Sequence, residues 1–358
     1  MNKTYIIAEA GVNHNGSLEL AKQLCLAASK TGADAVKFQT FSADRLASNS
    51  AQMAEYQVKN TGVTERQIDM LRRLELTAND FKTLQAYCQG IGVDFISSPF
   101  DIESVHFLIK DLDLDLIKIP SGEITNGPFL LAIAQSDKPV ILSTGMSNLE
   151  EISEALDVLA YGYLHKPAPK SFDQIKGCGS LPEGRSLLNE KVQLLHCTTE
   201  YPAPIESINL RAMGTMKSEF GLPVGYSDHS EGISIPIAAV ARGAIIIEKH
   251  LSLDRTMQGP DHTASIEPPL FTEMVQAIRA IESALGTGEK RPQDVEVKNM
   301  NIARKKLIAK REIETGEVFS TKNLTSKRCG DGLSPMGFWD LLDQPSRQKY
   351  HEGESVQE

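Results

Sequence analysis

The sequence predicts an α/β protein whose main part is a (β/α)8 barrel (TIM barrel), followed by a small β-rich domain. Short hydrophobic runs rich in Val and Ile alternate with amphipathic helical patterns about eight times over roughly the first 285 residues. Such alternation is typical of a parallel sheet with helical crossovers. Eight units favour a closed barrel over an open sheet, and the residues beyond them lack this periodicity.

The eight strands are predicted near residues 5–9, 35–38, 94–97, 116–119, 140–143, 192–196, 224–229 and 245–250. Each is a short apolar run, which is the pattern of a strand buried in a parallel sheet. Helices are predicted at 18–30, at 78–90 behind the N-cap residue Thr77, at 233–241 and at 268–285. The Pro-, Gly- and Lys-rich residues 163–189 exceed an ordinary connection, so we expect a surface insertion there.

Domain boundaries follow from the point at which this periodicity stops. We expect a barrel domain over 1–286, a charged linker over 287–303 and a small domain of short strands over 304–358. About 55 residues is close to the lower limit for independent stability, so the small domain is expected to need a partner surface.

Charge and cysteine content exclude several classes of protein. The formal net charge is −10 and there is no basic block, which argues against nucleic acid as a partner. No apolar run approaches the roughly 20 residues that span a bilayer, and the amino terminus shows no signal-peptide pattern. The five cysteines are scattered, odd in number and free of Cys-x-x-Cys pairs. We therefore expect a reduced, cytoplasmic protein.

Two histidines end the last two predicted strands of the barrel. His229 follows Asp228, and His250 lies two residues after Glu248. A right-handed crossover makes these strands neighbours about 5 Å apart, so both imidazoles emerge at one rim. A lone histidine in such a position most often caps its strand through a backbone hydrogen bond. Two at matching strand ends favour a divalent metal site instead.

Polar residues end all eight strands, which is where barrel enzymes place their active sites. They are Glu9, Lys37, Gln39, Ser97, Ser98, Lys118, Ser121, Glu123, Ser143, Thr144, His196, Thr199, Tyr201, Ser227, His229 and His250. Two lysines among several hydroxyls favour a site for phosphate or carboxylate. Ion pairs of these lysines with Glu9 or Glu123 are an open alternative. A Schiff-base lysine is another, although imine chemistry would not need the paired histidines.

Three residues after the strands are less decisive. His14 lies in a Gly- and Asn-rich turn after the first strand and either reaches the pocket or only belongs to the turn. Asp261, in the turn after the last strand, is able to bind sugar hydroxyls. Cys197 has no obvious base beside it and is more typical of a buried small residue than of a nucleophile.

Taken together, several ordered motifs resemble the sialic acid synthase family. They are IAEAGVNHNG at 7–16, VKFQT at 36–40, IPSGE at 119–123, LSTGM at 142–146, YSDH at 226–229 and EKH at 248–250. After the linker, KR at 327–328 followed by GDG at 330–332 is similar to the antifreeze-like (SAF) domain of those enzymes. The resemblance covers nearly the whole chain. It implies an enzyme that condenses phosphoenolpyruvate with an N-acetylated amino-sugar aldehyde and water to give a nonulosonic acid and phosphate.

The resemblance also implies roles for single residues. His229 and His250 would bind Mn2+ or Mg2+, and Glu9 would contact the acceptor sugar and handle a proton. Arg328 would come from the small domain of the other subunit of a domain-swapped homodimer to meet the N-acetyl group. Lys37, Ser98, Lys118, Ser121, Ser143 and Ser227 would hold phosphoenolpyruvate, and Tyr201 and Asp261 would face the sugar. We assign catalytic roles to Glu9, Lys37, Lys118 and Glu123. The residues assigned to substrate binding are Ser98, Ser121, Ser143, Thr199, Tyr201, Ser227, Asp261 and Arg328.

Departures from relatives bear on the acceptor rather than on the reaction. Ser98 and Thr199 stand where others carry Thr and Asn, and Cys329 replaces the Pro usual after the arginine. N-acetylmannosamine, giving N-acetylneuraminate, is the first expectation. The alternative is 2,4-diacetamido-2,4,6-trideoxymannose, giving N,N'-diacetyllegionaminate.

Two further functions remain as alternatives. A related aldol-type synthase acting on a phosphorylated sugar would not need the small carboxy-terminal domain. A non-catalytic sugar-binding or ice-binding protein would have no use for a metal beside a phosphate site.

Overall fold

The computed structural model describes residues 3–357, which divide into two compact units between Gly286 and Thr287. The first unit contains eight parallel strands: β1 (Tyr5–Gly11), β2 (Ala35–Thr40), β3 (Asp94–Pro99), β4 (Ile117–Ile119), β5 (Val140–Ser143), β6 (Val192–Cys197), β7 (Val224–Asp228) and β8 (Ile246–His250). Their order in the sheet is β3-β2-β1-β8-β7-β6-β5-β4. Since β3 and β4 also lie side by side, the sheet is a nearly closed barrel. The predicted fold class is confirmed.

Helices surround the strands. They are α1 (Leu18–Thr31), α2 (Ala43–Leu46), α3 (Glu55–Thr61), α4 (Gln67–Leu74), α5 (Ala78–Ile91), α6 (Ile102–His106), α7 (Gly127–Ala134), α8 (Leu149–Tyr163), α9 (Pro182–Lys191), α10 (Ala212–Phe220), α11 (Ser234–Ala241) and α12 (Pro268–Ala284). The cap predicted for α5 is present, because the Thr77 side chain accepts a hydrogen bond from the Asp80 backbone N–H. No helix within residues 3–357 has the length and apolar character needed to cross a membrane.

Strand alternation explains both the core and the position of the polar residues. Ile6 and Ala8 of β1 face outward and pack with the helices. Ile7 faces inward and packs with inward residues of other strands, such as Ile141 and Leu195. Because side chains alternate with period two, Glu9 shares the inward face with Ile7 but lies nearer the carboxyl end. The barrel interior is therefore apolar below and polar at its carboxyl-terminal rim.

Three helices interrupt the ordinary β/α alternation between β2 and α5. Helices α2, α3 and α4 form a second apolar core with residues such as Val12, Phe41, Ile68 and Leu71. These three helices are not among the predicted ones, because they are short and depend on packing. The segment is called the β2–α5 insertion below.

The predicted surface insertion at 163–189 differs from expectation in part. Its second half begins helix α9, and Ile175 and Cys178 within it are buried. The carboxylate of Asp157 on α8 accepts hydrogen bonds from the backbone N–H groups of Gly177 and Gly179, at 2.7 and 2.8 Å. These contacts tie the segment to the barrel wall.

The second unit contains helix α13 (Asp294–Ala303), strands β9 (Lys305–Ala309) and β10 (Leu324–Arg328), and helix α14 (Phe338–Leu341). The strands form an antiparallel pair in which Lys305 faces Arg328. Leu307, Ile313, Phe319 and other apolar residues form a separate core. Helix α13 falls within the predicted linker at 287–303. The Glu296 carboxylate accepts a hydrogen bond from the Gln293 backbone N–H, which favours a helix start at this point.

Candidate active site at the carboxyl ends of the barrel strands

A pocket of about 390 Å³ opens at the carboxyl ends of the strands. The first-unit residues assigned catalytic, substrate-binding or metal-binding roles all line it: Glu9, Lys37, Ser98, Lys118, Ser121, Glu123, Ser143, Thr199, Tyr201, Ser227, His229, His250 and Asp261. Ser97, Thr144 and His196 of the strand-end set do not line it. Strand register brings them together, because Glu9 is paired with Lys37 on β2 and with His250 on β8. Directly paired residues of parallel strands point to the same face of the sheet, so these three side chains all face the barrel interior.

Two lysines and two glutamates form a buried charge cluster in this pocket. The Lys37 ammonium lies 2.8 Å from the Glu9 carboxylate and 3.7 Å from that of Glu248, and the Lys118 ammonium lies 3.6 Å from Glu248. The ion pair considered for Lys37 and Glu9 is therefore present. Lys118 pairs with Glu248 and not with Glu123, whose carboxylate accepts a hydrogen bond from the Asn126 amide at 2.6 Å.

Burial and ion pairing shift the pKa values of the groups in this cluster in different directions. Burial opposes the charge of Glu248, but Lys118 and Lys37 outweigh it and lower its pKa to about 2. For Glu9, burial outweighs the attraction of Lys37, so its pKa is raised. Burial lowers the pKa of Lys118 despite the attraction of Glu248. Glu248 is therefore a fixed anion between the two lysines, whereas Glu9 is the carboxyl group better placed to exchange a proton.

Hydroxyl groups extend the cluster into a cradle for an anion. The Lys118 ammonium donates to Ser143 Oγ at 2.7 Å, and the Lys37 ammonium donates to Ser98 Oγ at 3.3 Å. Ser227 Oγ donates to the Glu248 carboxylate at 2.8 Å. A phosphate or carboxylate entering here would meet charged and neutral donors already held in place.

A close backbone approach completes this side of the pocket. The Gly145 backbone N–H donates to Ser121 Oγ at 3.0 Å. A Cβ atom at Gly145 would lie 2.9 Å from both Ser121 Oγ and Cys197 Sγ, and it would also collide with the Thr199 hydroxyl. Only glycine fits at this position, because any side chain would displace the hydroxyl groups that line the pocket.

The two predicted metal ligands are arranged as a pair. The ring centroids of His229 and His250 lie 5.4 Å apart. His229 Nδ1 donates to the Thr198 carbonyl oxygen at 2.7 Å, which leaves its Nε2 as an acceptor. His250 Nδ1 is buried and has no hydrogen-bond partner in the described part of the chain. Burial lowers the pKa of both imidazoles, so both are neutral at pH 7.

Neutral imidazoles with free nitrogens fit a divalent metal ion. Within residues 3–357, no group of three or more His, Cys, Asp and Glu side chains has metal-binding geometry. A metal held here would thus have few protein ligands and would keep open positions for substrate and water.

Aromatic and acidic residues border the histidines. The Tyr201 ring centroid lies 4.2 Å from that of His229 and 4.9 Å from that of Tyr56, on α3. Burial, reinforced by the charge of Glu9, raises the pKa of Asp261 to about 7. The pocket therefore combines anion-binding groups with carboxyl and aromatic groups suited to a sugar.

Three predicted residues have other positions or roles. Arg328 is exposed on β10 of the second unit, so its predicted contact with the acceptor stays a prediction. His14 is buried, its ring lies 6.0 Å from that of Phe38, and its Nδ1 accepts a hydrogen bond from the Gly16 backbone N–H. It belongs to the turn. Cys197 lines the pocket, but burial raises the pKa of its thiol, which makes it a poor nucleophile.

Sequence reasoning missed several pocket residues. Glu248 was noted only as the acid before His250, although period-two alternation places both side chains on the inward face. Gln39 belonged to the strand-end set but received no role, and its amide donates to Glu9 at 3.3 Å. Tyr56 and four residues of α4 come from the β2–α5 insertion, which has no motif to reveal it. The four are Gln67, Met70, Leu71 and Leu74.

Comparison with known proteins places these features among related chains. The sequence matches the NeuB family over residues 24–290. It is 47% identical over 358 residues, all of both chains, to an N,N'-diacetyllegionaminic acid synthase of Campylobacter jejuni. It is 44% identical to a protein of the same name from Legionella pneumophila, over 92% of this chain and 87% of that one. A solved N-acetylneuraminic acid (sialic acid) synthetase from Leptospira borgpetersenii aligns with a TM-score of 0.66 at 33% identity, over 84% and 90% of the two chains.

Proposed function

Since the chain belongs to the NeuB family, we propose that it condenses phosphoenolpyruvate with an N-acetylated amino-sugar aldehyde and water, giving a nonulosonic acid and inorganic phosphate. The observation that carries this proposal is the pocket itself. It holds two buried lysines among serine hydroxyls and, next to them, two neutral imidazoles beside Glu9. Phosphoenolpyruvate needs the first set, and an aldehyde that must be activated needs the second.

Lys37 and Lys118 would balance the negative charges of phosphoenolpyruvate throughout the reaction. Ser98, Ser121, Ser143 and Ser227 would orient its phosphate and carboxylate. The hydroxyls of Ser98 and Ser143 already accept from the lysines, that of Ser227 donates to Glu248, and that of Ser121 is held by the Gly145 backbone N–H. With the enol so held, carbon 3 attacks the aldehyde carbon and carbon 2 becomes cationic. Water then adds to carbon 2, and phosphate leaves by cleavage of the C–O bond.

His229 and His250 would hold the divalent metal ion, Mn2+ or Mg2+, for which their free nitrogens are suited. When bound, that ion supplies Lewis-acid polarisation of the aldehyde. Glu9 would contact the acceptor and exchange a proton with it, since burial raises its pKa toward the range of an acid–base group. Tyr201 and Asp261 would face the sugar, and Glu123 and Thr199 would complete the rim.

The relatives favour one acceptor over the other. Both curated relatives described above are named for N,N'-diacetyllegionaminic acid. We therefore place 2,4-diacetamido-2,4,6-trideoxymannose first and N-acetylmannosamine second. We also propose a homodimer in which Arg328 of one subunit completes the site of the other.

The experiment is phosphate release from phosphoenolpyruvate, measured with each of the two sugars and with no sugar. Acceptor-dependent release, with a nonulosonic acid identified by mass spectrometry, is the expected result. Lys118→Met should lower kcat/KM by on the order of 100-fold or more, because it removes a preorganised charge. Lys110→Met, on the surface after α6, serves as the matched control. Absence of release with every acceptor would refute the proposed function.

A further inference from the structure

The β2–α5 insertion presents an unusual surface to the pocket. Leu46, Met70, Leu71 and Leu74 line the cavity directly, and we call these four residues the apolar wall. Met70, Leu71 and Leu74 belong to the second apolar core and are at most 9% exposed. The wall is thus a fixed part of a packed core rather than a set of mobile surface side chains.

Contacts of the insertion place the wall beside the residues proposed to face the sugar. The Tyr56 ring of α3 lies against Tyr201, and the Asn60 amide donates to the Pro260 carbonyl oxygen at 2.8 Å, directly before Asp261. Met70 and Leu74 also border a neighbouring hollow that is lined by Gly259 and Pro260. Of the anion-binding groups, Ser121 follows β4 and Ser143 ends β5, away from the insertion, whereas Lys37 on β2 and Ser98 on β3 belong to the strands that flank it.

The reaction fixes which end of the sugar meets the wall. In the proposed function, carbon 1 of the acceptor lies near the two histidines and near carbon 3 of phosphoenolpyruvate. The remainder of the sugar then extends toward the part of the pocket that residues of α3 and α4 line, and its far end is carbon 6. Leucine and methionine side chains offer no hydrogen-bond donor and only a weak sulfur acceptor. A hydroxyl at carbon 6 would lose water there without a partner, whereas a methyl group would not.

From this geometry we infer that the apolar wall is the specificity determinant for carbon 6 of the acceptor, and that it selects a 6-deoxy sugar over the 6-hydroxy analogue. Gln67 lies one helical turn before Leu71 and also lines the pocket. Its amide is available to the substituent at carbon 4. The inference rests on the proposed function and adds the residues that choose the acceptor.

The test compares two sugars that differ by a single oxygen atom. They are N-acetylmannosamine and 2-acetamido-2,6-dideoxymannose, and kcat/KM is measured for each by phosphate release. We expect the wild-type protein to favour the 6-deoxy sugar by about 10- to 100-fold, since an apolar pocket rejects an added hydroxyl only to that extent. A ratio near one, or a preference for the 6-hydroxy sugar, would overturn the inference while leaving the synthase function intact.

Variants then assign the preference to the wall. Leu71→Asn, which is nearly isosteric and offers an amide, should reduce the ratio by about tenfold with the KM for phosphoenolpyruvate unchanged. Leu71→Met should keep the ratio. Ile68→Ala is the matched control, because Ile68 is buried on the same helix but is not among the residues that line the pocket.

An unchanged ratio in folded Leu71→Asn protein would contradict the assignment. Met70→Gln carries the same test, with the same expected fall in the ratio, should Leu71→Asn not fold. Loss of phosphate release with both of these sugars and with the diacetamido sugar in the wild-type protein would instead refute the proposed function itself.

Discussion

At the scale of single residues, burial determines what the pocket imidazoles can do. It lowers the pKa of His229 and of His250, so both rings are neutral and their nitrogen lone pairs are available to a metal ion. In His229 the bond from Nδ1 to the Thr198 carbonyl also fixes the tautomer that leaves Nε2 free. A metal ligand needs both of these conditions.

His250→Ala should therefore lower metal affinity by on the order of 100-fold or more. Removing only a hydrogen bond that orients a metal ligand already lowers metal affinity by roughly 10- to 100-fold. Metal content after dialysis, measured by mass spectrometry, checks this independently of activity. Chelation of the wild-type protein should abolish turnover and added Mn2+ should restore it. His106→Ala, on the exposed face of α6, is the control. Wild-type metal content in His250→Ala would refute the ligand assignment.

His14 gives a pH dependence of stability that does not involve the active site. Burial lowers its pKa from 6.5 to about 4 in the folded protein. Above pH 6.5 the ring is neutral in both states, so its burial does not make stability depend on pH. As the pH falls from 6.5 toward 4, the unfolded chain binds the proton more readily than the folded protein, and the free energy of unfolding decreases. At pH 4.5 this loss is about 2–3 kcal/mol.

As the pH is lowered from 7.5 to 4.5, we expect the free energy of unfolding of the wild-type protein to fall by about 2–3 kcal/mol more than that of His14→Gln. Urea unfolding at several pH values measures the difference. Other histidines titrate in both proteins, so the comparison isolates His14. Parallel curves for the two proteins would show that His14 keeps its ordinary pKa when folded.

At the scale of elements, the strands were predictable and the β2–α5 insertion was not. All eight strands were located within a few residues, because a buried parallel strand requires a continuous apolar run that ends in polar residues. The rim residues followed, since parallel strands place their carboxyl ends together. Helices α2 to α4 contain four, seven and eight residues and have little stability alone, so tertiary packing decides their existence. The apolar wall could not be predicted for the same reason.

Gly16 connects the turn after β1 with the end of α4. It has a φ of +75°, and a Cβ atom there would collide with the Arg73 carbonyl oxygen. Gly16→Ala should therefore shift α4, and with it the apolar wall, in addition to costing about 1 kcal/mol or more in backbone strain. The expected result is a severalfold higher KM for the acceptor with the KM for phosphoenolpyruvate nearly unchanged.

Gly62→Ala is the matched control for this change. Gly62 follows α3 in the same insertion and has a similar φ of +69°, but a Cβ atom there would meet nothing within 4 Å. It should lose similar stability in thermal unfolding without a change in either KM. Equal effects of both variants on the acceptor KM would mean that general loosening, rather than displacement of α4, is responsible.

At the scale of the whole molecule, the second unit is small and has its own core, yet it carries the residue predicted to touch the acceptor. Arg328 is exposed at the end of β10. A chain that ends near Gly288 should fold as a barrel, since the first unit has its own apolar core. It should nevertheless lose activity if Arg328 completes the site. Circular dichroism and phosphate release, measured on the same preparation, separate these two effects.

Subunit exchange decides whether that completion occurs between two copies of the chain. Arg328→Ala and Glu9→Ala should each inactivate a homodimer, the first through the acceptor contact and the second through the barrel. In a purified heterodimer of the two, the barrel with intact Glu9 would meet the partner's intact Arg328, so about half of the wild-type activity should return. Completion within one chain predicts no recovered activity, because each chain then carries one defect in its own site.

Two differently tagged variants, co-expressed and purified through both tags, give the heterodimer, and a doubly tagged wild-type protein sets the reference. An inactive heterodimer that keeps its dimeric mass would contradict a site completed by the partner subunit.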